Sequence, residues 1–421
     1  MESAIKETVN CSKESGKTEI VLFSNKEDCC GCGACMNACM KQAIHMKEDE
    51  YGFMYPEIDP SKCVQCGICQ KACGYQYRKE TAEHQLAYVA MAKDELLLKR
   101  SASGGIFAAL ATEILKKGGV VFGSSLEYKE GALTPEHIKV DHISDLHKLQ
   151  GSKYVQSSIG NTYRQVKEEL ETKKEVLFSG TPCQIAGLKS YLGDREYKNL
   201  FTVDIICHGV PSAKFFKSYL SVFEKKLHGK IIDFKFRDKN VGWGLLGRVL
   251  YLDKNKHEKN RVIKTRMSSY YTLFLKSDIY RDSCYNCKYA SSHRPADLSI
   301  GDYWGIQKEH PEYLVGMGGT MDETKGISCI IVNTERGKVM LEQLGAGLEY
   351  KASSFEKVAR GNEQLNHPSF KSERRDKILN LYKEKGYSAV EDWYYRQMGI
   401  KKCLYIVWDA IPQKFKGFLH R

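Results

Sequence analysis

The chain has 421 residues, of which 42% are hydrophobic, and 64 Lys and Arg against 52 Asp and Glu give it a formal net charge of +12. This length suits a small module followed by a substantial second domain, and no apolar run is long enough to suggest a membrane-spanning helix. Because basic and acidic residues alternate along the chain, the composition argues against a nucleic-acid-binding protein.

The chain begins with a polar segment of mixed charge, residues 1–24, which we interpret as a flexible tail. This segment lacks the apolar stretch of a secretory signal. The cysteine-rich region that follows has the spacing of thiolate clusters, which require a reducing compartment. We therefore expect a cytoplasmic protein.

Residues 25–75 contain two copies of one cysteine spacing, with intervals of two, two and three residues. In two-cluster 4Fe-4S ferredoxins the fourth cysteine of each copy binds the cube of the other copy. The repeat therefore predicts an α+β ferredoxin module, with short strands near residues 44–46 and 54–55. The additional thiol of Cys30 is interpreted as small apolar packing. The two predicted ligand sets are Cys29, Cys32, Cys35 and Cys73, and Cys63, Cys66, Cys69 and Cys39.

A polar linker at residues 76–86 precedes a domain over residues 87–354, in which short apolar strands alternate with helical patterns. This alternation favours an α/β domain with a mainly parallel central sheet. The aromatic and β-branched residues 231–262 predict an antiparallel extension of that domain. Residues 355–421 are predicted to be a basic, helical C-terminal segment. The predicted strands are 88–91, 120–124, 176–178 and 201–207, and the predicted helices are 105–117, 161–171 and one starting near residue 183.

Three segments rich in small residues, 101–105, 151–157 and 178–184, are candidates for binding a phosphate or a flavin. The first opens a helix, where free backbone N–H groups attract anions. The second offers a lysine for phosphate and a tyrosine for stacking. The third joins a buried strand to a helix, the position at which open α/β sheets bind ligands. Ordinary capping and turn formation is the alternative for each segment.

Four later cysteines form a candidate third site: Cys183 and Cys207 close neighbouring strands, and Cys284 and Cys287 form a CxxC pair. Ends of neighbouring parallel strands lie side by side, so these thiols can meet. We favour a third 4Fe-4S cluster because the chain already carries electron-transfer cysteines. A zinc site and separate buried thiols are the alternatives.

Two polar features beside these cysteines are candidate substrate contacts. His208 follows Cys207 and could supply a proton, although a histidine at a strand end is more often structural. Asp297, Asp302, Tyr303 and Trp304 form an acidic and aromatic group, for which core packing is the first interpretation and a substrate mouth the alternative.

The last residues, 400–421, place Trp and Phe among Lys and Arg. Such a segment can lie in a membrane interface. Packing against its own domain is the alternative, so peripheral membrane contact is one of two hypotheses here.

Six segments together resemble the coenzyme F(420) hydrogenase/dehydrogenase beta-subunit family, whose members are flavoproteins that exchange electrons with a deazaflavin. The resemblance extends over residues 88–332. It implies a bound FAD, and a 4Fe-4S cluster held by Cys183, Cys207, Cys284 and Cys287. The residues that it places near the flavin are Ser103, Gly104, Gly105, Ser152, Lys153, Tyr154, Gly180, Thr181 and Gln184. The six segments are SGGIFAALA, QGSKYVQSSIG, LFSGTPCQIAGLKSYL, VDIICHGVPS, CYNCKYA and DLSIGDYWGI.

The sequence thus predicts an iron–sulfur flavoprotein oxidoreductase, in which 4Fe-4S clusters pass single electrons to FAD and FAD passes a hydride to an organic acceptor. A deazaflavin-like coenzyme or a polysaccharide-pathway intermediate is the expected acceptor. The alternative is an electron-transfer subunit that docks to a separate catalytic partner and has no substrate of its own. The expected protein partner is an electron donor or acceptor. An acidic one suits the basic excess, which three cubes of about −2 each would reduce to about +6.

Overall fold

The computed structural model describes residues 20–77, 86–241, 243–400 and 404–405, and the statements below concern these residues. Residues 1–19 of the predicted tail, which was assigned to residues 1–24, lie outside the described residues. Most of the predicted linker, residues 78–85, also lies outside them. Of the C-terminal candidate membrane segment, residues 400–421, only residues 400, 404 and 405 are described.

The N-terminal module contains one antiparallel hairpin and two short helices. The helices α1 and α2 each begin directly after a glycine of the cysteine repeat, and Gly33 and Gly67 have nearly equal left-handed φ values of 71° and 72°. The two sequence copies therefore fold alike, and the strands predicted near residues 44–46 and 54–55 are confirmed. The elements are α1 Ala34–Ala38, β1 Ile44–Glu48, β2 Met54–Ile58 and α2 Ile68–Lys71.

The remainder of the chain forms one large sheet, one small sheet and the helices that cover them. The strands predicted from apolar runs are all present, three of them with longer bounds, but the strand predicted over residues 201–207 ends at Ile205, before Cys207. The strands are β3 Leu86–Ala92, β4 Val120–Lys129, β5 Ala132–Val140, β6 Val176–Gly180, β7 Leu200–Ile205, β8 Gly229–Lys235, β9 Gly247–Asp253, β10 Glu258–Ile263, β11 Leu298–Asp302, β12 Ser328–Val332 and β13 Leu348–Ser353. The helices are α3 Glu95–Arg100, α4 Ile106–Lys116, α5 Thr162–Glu171, α6 Pro182–Leu192, α7 Ala213–Leu227, α8 Ser269–Leu275, α9 Asp282–Tyr285, α10 Ile306–Glu309, α11 Glu335–Leu344, α12 Phe355–Gly361 and α13 Arg375–Met398.

The large sheet has the strand order β13-β3-β12-β11-β7-β6-β4-β5. Only three neighbouring pairs are parallel, β4 with β6, β6 with β7, and β7 with β11, and the other four are antiparallel. The prediction of a mainly parallel sheet is therefore wrong, and the sheet is mixed. One cause is the tight turn between β4 and β5: Glu130 and Gly131 both have positive φ, and so short a connection permits only antiparallel pairing.

Each face of the large sheet is covered by helices that bury an apolar stripe. On one face α4 and α11 contribute Ile106, Leu110 and Leu341 to a buried cluster. On the other face Val166 of α5 and Leu188 of α6 pack on the sheet, in a cluster that also includes residues of the N-terminal module. The module therefore shares a hydrophobic core with the large domain.

The small sheet is antiparallel in the order β10-β9-β8, which confirms the predicted extension over residues 231–262. It packs with α7, α8 and α13 around a cluster rich in Phe and Tyr. The described part of the C-terminal region contains α12 and α13, in line with the predicted helical segment, and α13 is interrupted at Gly386, where φ is 73°. Among the described residues, no helix combines the length and the apolar character needed to cross a membrane.

Candidate iron–sulfur and cofactor site

The first predicted ligand set is brought together between the two repeats of the N-terminal module. Burial raises the pKa of the Cys35 thiol, and the neighbouring thiols of Cys32, Cys29 and Cys73 raise it further. Cys73, from the second repeat, therefore stands beside three cysteines of the first. This is the crossed arrangement expected for a two-cluster ferredoxin.

The second predicted set lies towards the outside of the module. Burial raises the pKa of Cys69, with Cys66 and Cys39 as nearby thiols, so a first-repeat cysteine again joins the second repeat. Cys66 is exposed and Cys63 is half-buried. This set is therefore the part of the module that a protein from solution could approach.

A buried arginine fixes the inner side of the module to the large domain. The guanidinium of Arg281 is fully buried; its Nε donates to the carbonyl of Cys29 at 2.8 Å and its Nη2 to that of Met54 at 2.9 Å. Arg164 donates from Nε to the carbonyl of Asn37 at 2.9 Å. These contacts to backbone carbonyls hold the first set against the large domain, and Arg281 Nη2 also lies 3.9 Å from Cys29 Sγ.

The third predicted set surrounds a cavity at the edge of the large sheet. Cys183 is the second residue of α6, and Cys207 follows β7. The strands β6 and β7 are parallel neighbours, as predicted from the sequence. Burial raises the pKa of Cys207 well above its usual value, and the neighbouring thiols of Cys284, Cys183 and Cys287 add to the effect. All four cysteines therefore line the same cavity.

The donor set of this site consists of four thiols from the large domain. A zinc ion and a 4Fe-4S cube are both bound by four thiolates, so this donor set suits either group. Among residues 20–77, 86–241 and 243–400, no compact group of three or more His, Cys, Asp or Glu side chains occurs.

A buried ion pair supports the loop that carries Cys284 and Cys287. Arg294 donates from Nη2 to Asp204 Oδ1 at 2.7 Å, and both side chains are at most 1% exposed. The same guanidinium donates from Nη1 to the carbonyl of Tyr289 at 2.8 Å. Because Asp204 lies on β7 and Tyr289 follows the CxxC pair, this contact fixes the pair relative to Cys207.

A second cavity of about 580 Å³ adjoins the third set, and all three candidate phosphate or flavin segments line it. Its size lies within the range of cofactor sites. Gly104 is the exception among the nine residues assigned to the flavin, since its N–H donates to Ser328 Oγ at 2.9 Å and a β-carbon there would stand 2.5 Å from the carbonyl of Ala90. The eight assigned residues that line the cavity are Ser103, Gly105, Ser152, Lys153, Tyr154, Gly180, Thr181 and Gln184.

Some of these side chains already have partners within the protein. Thr181 and Gln184 form a capping box at the start of α6, with the Thr181 N–H donating to Gln184 Oε1 at 3.0 Å. The hydroxyl of Ser103 donates to the carbonyl of Ile327 at 3.0 Å. The capping interpretation therefore describes these side chains. At α4 the N-cap Gly105 offers no side chain, so the first N–H groups of that helix remain available to the cavity.

A half-buried lysine lines the cavity, and a buried histidine lies beside it. Lys153 donates from Nζ to the carbonyl of Gln150 at 2.9 Å, and burial lowers its pKa to about 7. His137 contacts Ser157 Oγ at 2.9 Å and the carbonyl of Ser179 at 3.1 Å, and burial lowers its pKa to about 4. His137 is therefore neutral at pH 7 and supports the loop walls through hydrogen bonds.

The far wall of the cavity contains an acidic and aromatic group. Asp302 accepts a hydrogen bond from Trp243 Nε1 at 3.0 Å and pairs with Arg237, which lies 5.6 Å from the ring of Trp304. Asp302, Arg237 and Trp304 all line the cavity.

The two other members of the predicted acidic and aromatic group lie in the core. Asp297 accepts from the Thr202 N–H at 2.9 Å, and Tyr303 is fully buried. Core packing therefore describes Asp297 and Tyr303, whereas Asp302 and Trp304 lie on the cavity wall, where a role at a substrate mouth stays a prediction.

His208 lies where the two cavities meet. It lines both, together with Cys183 and Cys207, so the third cysteine set and the large cavity share a wall. Burial lowers the pKa of His208, while the charges of Asp302 and Glu363 oppose that shift. Within the described part of the chain its ring nitrogens have no hydrogen-bond partner. A neutral imidazole is thus available to a ligand.

The sequence did not identify several residues that shape the site. Arg281, Arg294, Arg237 and His137 are separated along the chain from the motifs that they support, and no local spacing marks them. The sequence marked Cys30 only through its position beside the predicted ligand Cys29. Its place near the third set depends on how the N-terminal module packs against the large domain.

Comparison with known proteins gives two family matches. Residues 173–357 match the family described as the C terminus of the coenzyme F420 hydrogenase/dehydrogenase beta subunit, and residues 28–77 match the 4Fe-4S dicluster domain. No curated protein matches the chain. Among solved structures, a chain of the F420-reducing NiFe hydrogenase complex from Methanosarcina barkeri is 18% identical; the match covers 77% of this chain and 94% of that chain, with a TM-score of 0.41. The family matches identify an iron–sulfur redox protein.

Proposed function

We propose that this chain is an iron–sulfur flavoprotein oxidoreductase that binds FAD in the cavity of about 580 Å³ and reduces an organic acceptor there. The observation that carries the proposal is the shared wall: Cys183 and Cys207 line both the cysteine site and the large cavity. When bound, 4Fe-4S clusters supply single-electron transfer and FAD supplies hydride transfer.

The cysteines would hold three clusters in a row. The second set, which includes the exposed Cys66, lies outermost, the first set faces the large domain, and the third set adjoins the cavity. The predicted ligands of the third cluster are Cys183, Cys207, Cys284 and Cys287, whose buried thiols surround one cavity. Arg294 orients the CxxC pair, and Arg281 holds the first set close to the third.

The cavity offers FAD separate polar and apolar surfaces. The N-terminus of α4 after Gly105 provides free N–H groups for a diphosphate, and Lys153 provides a positive charge. Gly180, at the end of β6, packs closely on Gln184, because a β-carbon there would stand 3.0 Å from its Oε1. These residues bind and orient the cofactor, and the sheet edge excludes water from its inner side.

His208 is assigned as the group that holds a proton for the acceptor. Its ring lines the cavity beside the third cysteine set and has no hydrogen-bond partner among the described residues. Burial keeps it neutral at pH 7, so one ring nitrogen can take up a proton from solvent, and the imidazolium formed can then release a proton to the acceptor.

The acceptor would lie against the wall formed by Arg237, Asp302 and Trp304. The charge of Arg237 is paired with Asp302, but its Nη2 has no hydrogen-bond partner among the described residues and can donate to an anionic group. The indole of Trp304, stacked on Trp243 at 4.9 Å, offers a flat surface. An anionic acceptor with a planar part fits both features. A deazaflavin-like coenzyme, after which the matching family is named, has that character, and a polysaccharide-pathway intermediate is the second acceptor class.

The second candidate function is an electron-transfer subunit that serves a separate catalytic partner. The outer face of the second set favours it: Met40 is 84% exposed, and Val64, Cys66 and Ile68 are exposed around it. The matching family is described as a beta subunit. An acidic redox partner would find a basic rim there, since Lys41, Lys62 and Lys71 are also exposed.

Anaerobic purification followed by assay of iron, sulfide and flavin tests the proposal. We expect about twelve irons and one FAD per chain, the content of three cubes and one flavin. About eight irons without flavin would contradict it and favour the electron-transfer function. Copurification of a catalytic partner, together with inactivity of the isolated chain towards deazaflavin and sugar acceptors, would also favour that second function.

A further inference from the structure

Arg281 differs from the other buried arginines of the described chain in having no carboxylate partner there. The three others each form an ion pair: Arg237 with Asp302, Arg294 with Asp204 and Arg375 with Asp282. Arg281 is fully buried, and apart from one sulfur its hydrogen-bond acceptors are neutral oxygens. These are the carbonyls of Cys29 and Met54 and the side-chain amide oxygen of Gln156.

The charge of this guanidinium needs a counter-charge. A guanidinium stays protonated at every pH at which proteins fold. Burying an uncompensated charge strongly destabilises a fold, and neutral oxygens satisfy its donors without balancing its charge. The carboxylate of the next residue, Asp282, pairs with Arg375 at 3.0 Å. We therefore looked for the anionic group among the cysteine sites that Arg281 adjoins.

The guanidinium lies against the loop of the first cysteine set. Its Nη2 is 3.9 Å from Cys29 Sγ, the sulfur of a predicted ligand. Gly31 in the same loop has a left-handed φ of 68°, and a β-carbon there would stand 2.9 Å from Arg281 Nη1. The ring of Tyr55 lies on the guanidinium, 4.1 Å from its centroid. The missing side chain at Gly31 thus admits a positive charge to the loop itself.

The same side chain lies beside the third cysteine set, because Arg281 lines the cavity that this set surrounds. A 4Fe-4S cube with its four thiolates carries a charge of about −2. Two such groups repel each other, and a fixed cation between them reduces that repulsion. The place of Arg281 therefore matches the charge that cubes would bring.

We propose that Arg281 is the fixed counter-charge of the first cluster and raises its reduction potential. Reduction adds one negative charge to a cube, and a nearby cation stabilises that charge. The inference rests on the two-cluster module of the proposed function. A third cluster gains from the same cation without being needed for the argument.

The test compares the wild-type holoprotein with Arg281→Gln, Arg281→Lys and the control Arg164→Gln. Lysine keeps the charge with fewer donors, whereas glutamine keeps a donor without the charge. Arg164 also donates to carbonyls of the module, those of Asn37 and Met36 among them, but it is half-buried and none of its acceptors is a sulfur. Iron and sulfide are counted, and redox titrations are followed by electron paramagnetic resonance.

In Arg281→Gln we expect the ratio of reduced to oxidised cluster at a fixed potential to fall about tenfold for the first cluster, which is about 59 mV for a one-electron couple. Arg281→Lys and Arg164→Gln should stay close to the wild type. A loss of about four irons in Arg281→Gln but not in Arg281→Lys would support the same role, because the charge would then be needed to hold the cluster.

Unchanged potentials and iron content in Arg281→Gln would overturn the inference. Potentials lowered equally, or iron lost equally, in Arg281→Gln and Arg281→Lys would also overturn it, since packing and hydrogen bonds would then explain the effect. A shift that is absent when Cys207→Ala removes the third cluster would assign the charge to that cluster and overturn the assignment to the first. About eight irons in the wild type would contradict the third cluster of the proposed function, and the potentials of the two remaining clusters would still decide the role of Arg281.

Discussion

Gly187 of α6 leaves room for the sulfur of Cys32 in the N-terminal module: a β-carbon at position 187 would stand 2.9 Å from Cys32 Sγ and 2.9 Å from the Tyr163 hydroxyl. The same helix carries Cys183. A single missing side chain therefore allows the first cysteine set to approach the third, and the close approach is what places Cys30 between them.

Substituting Gly187 should loosen this contact. We expect Gly187→Val to cost about 1–3 kcal/mol through overpacking and to increase hydrogen exchange in residues 25–77, with a smaller effect for Gly187→Ala. Gly316→Ala is the matched control, since a β-carbon there meets nothing within 4 Å. Equal exchange in the Gly187 variants and the control would show that the module does not depend on this contact.

Removing a ligand of the third set should remove one cluster. We expect Cys207→Ala and Cys284→Ala each to lose about four of about twelve irons, because a cube needs all four thiolates. The control is Cys329→Ala, which removes a fully buried thiol on β12 that lines neither cavity and should therefore cause no loss of iron. A full complement of iron in Cys207→Ala would exclude Cys207 as a ligand and would favour separate buried thiols.

Breaking the buried ion pair should destabilise the protein and the CxxC loop together. Arg294→Met leaves the Asp204 carboxylate buried without its partner, and we expect a cost of about 3–5 kcal/mol in the free energy of unfolding. Urea unfolding measures it. In the double variant Asp204→Leu with Arg294→Met the charge is gone, so much of that loss should be recovered.

Arg336 offers a control for this substitution. Its Nη2 pairs at 3.0 Å with Glu196, which is 73% exposed. Such a surface pair contributes about 0–1 kcal/mol, so Arg336→Met should unfold much like the wild type. If Arg294→Met and Arg336→Met lowered the free energy of unfolding by a comparable amount, burial of the pair with Asp204 would add nothing to its contribution to stability.

The buried His137 should make the fold sensitive to acid. Its folded-state pKa of about 4 lies below the usual value near 6.5, so between these values the unfolded state binds the extra proton. Stability therefore falls as the pH drops through this window. We expect the wild type to lose about 2 kcal/mol more than His137→Gln between pH 7 and pH 5.

Urea unfolding at both pH values, each protein compared with itself, separates this effect from the acid sensitivity of the clusters that both proteins share. His142→Gln, at an exposed position, should behave like the wild type. An equal loss in His137→Gln and the wild type would show that another group causes the acid sensitivity.

Flavin affinity should depend on the charge of Lys153. With a pKa of about 7 in the free protein, Lys153 is protonated at pH 6 and largely neutral at pH 8. An anionic diphosphate favours the protonated form, so we expect the Kd for FAD to rise about tenfold from pH 6 to pH 8. Fluorescence titration of the flavin-depleted protein measures it.

In Lys153→Arg the charge is permanent, so the affinity should stay nearly constant over the same range. Lys116→Met is the control, because Lys116 lies on the exposed side of α4 and pairs with Glu113. A pH dependence that persists in Lys153→Arg would assign it to another group.

The sequence determined the local parts of this protein. The cysteine intervals fix which thiols can share a cube, because ligand spacing along a short loop limits their geometry. Apolar runs located β6 and β7, and the glycine and serine segments located the loops of the cavity. These features depend on neighbours in the chain, and for that reason spacing and periodicity reveal them.

The tertiary structure decided how these parts meet. The mixed order of the large sheet depends on pairings between distant strands such as β3 and β12, which no local pattern encodes. Arg281 contacts Cys29 across 252 residues, and Cys30 lines the same cavity as Cys183. Long-range contacts follow from the burial of shared surfaces, so only the folded chain shows that the N-terminal module lies beside the cavities of the large domain.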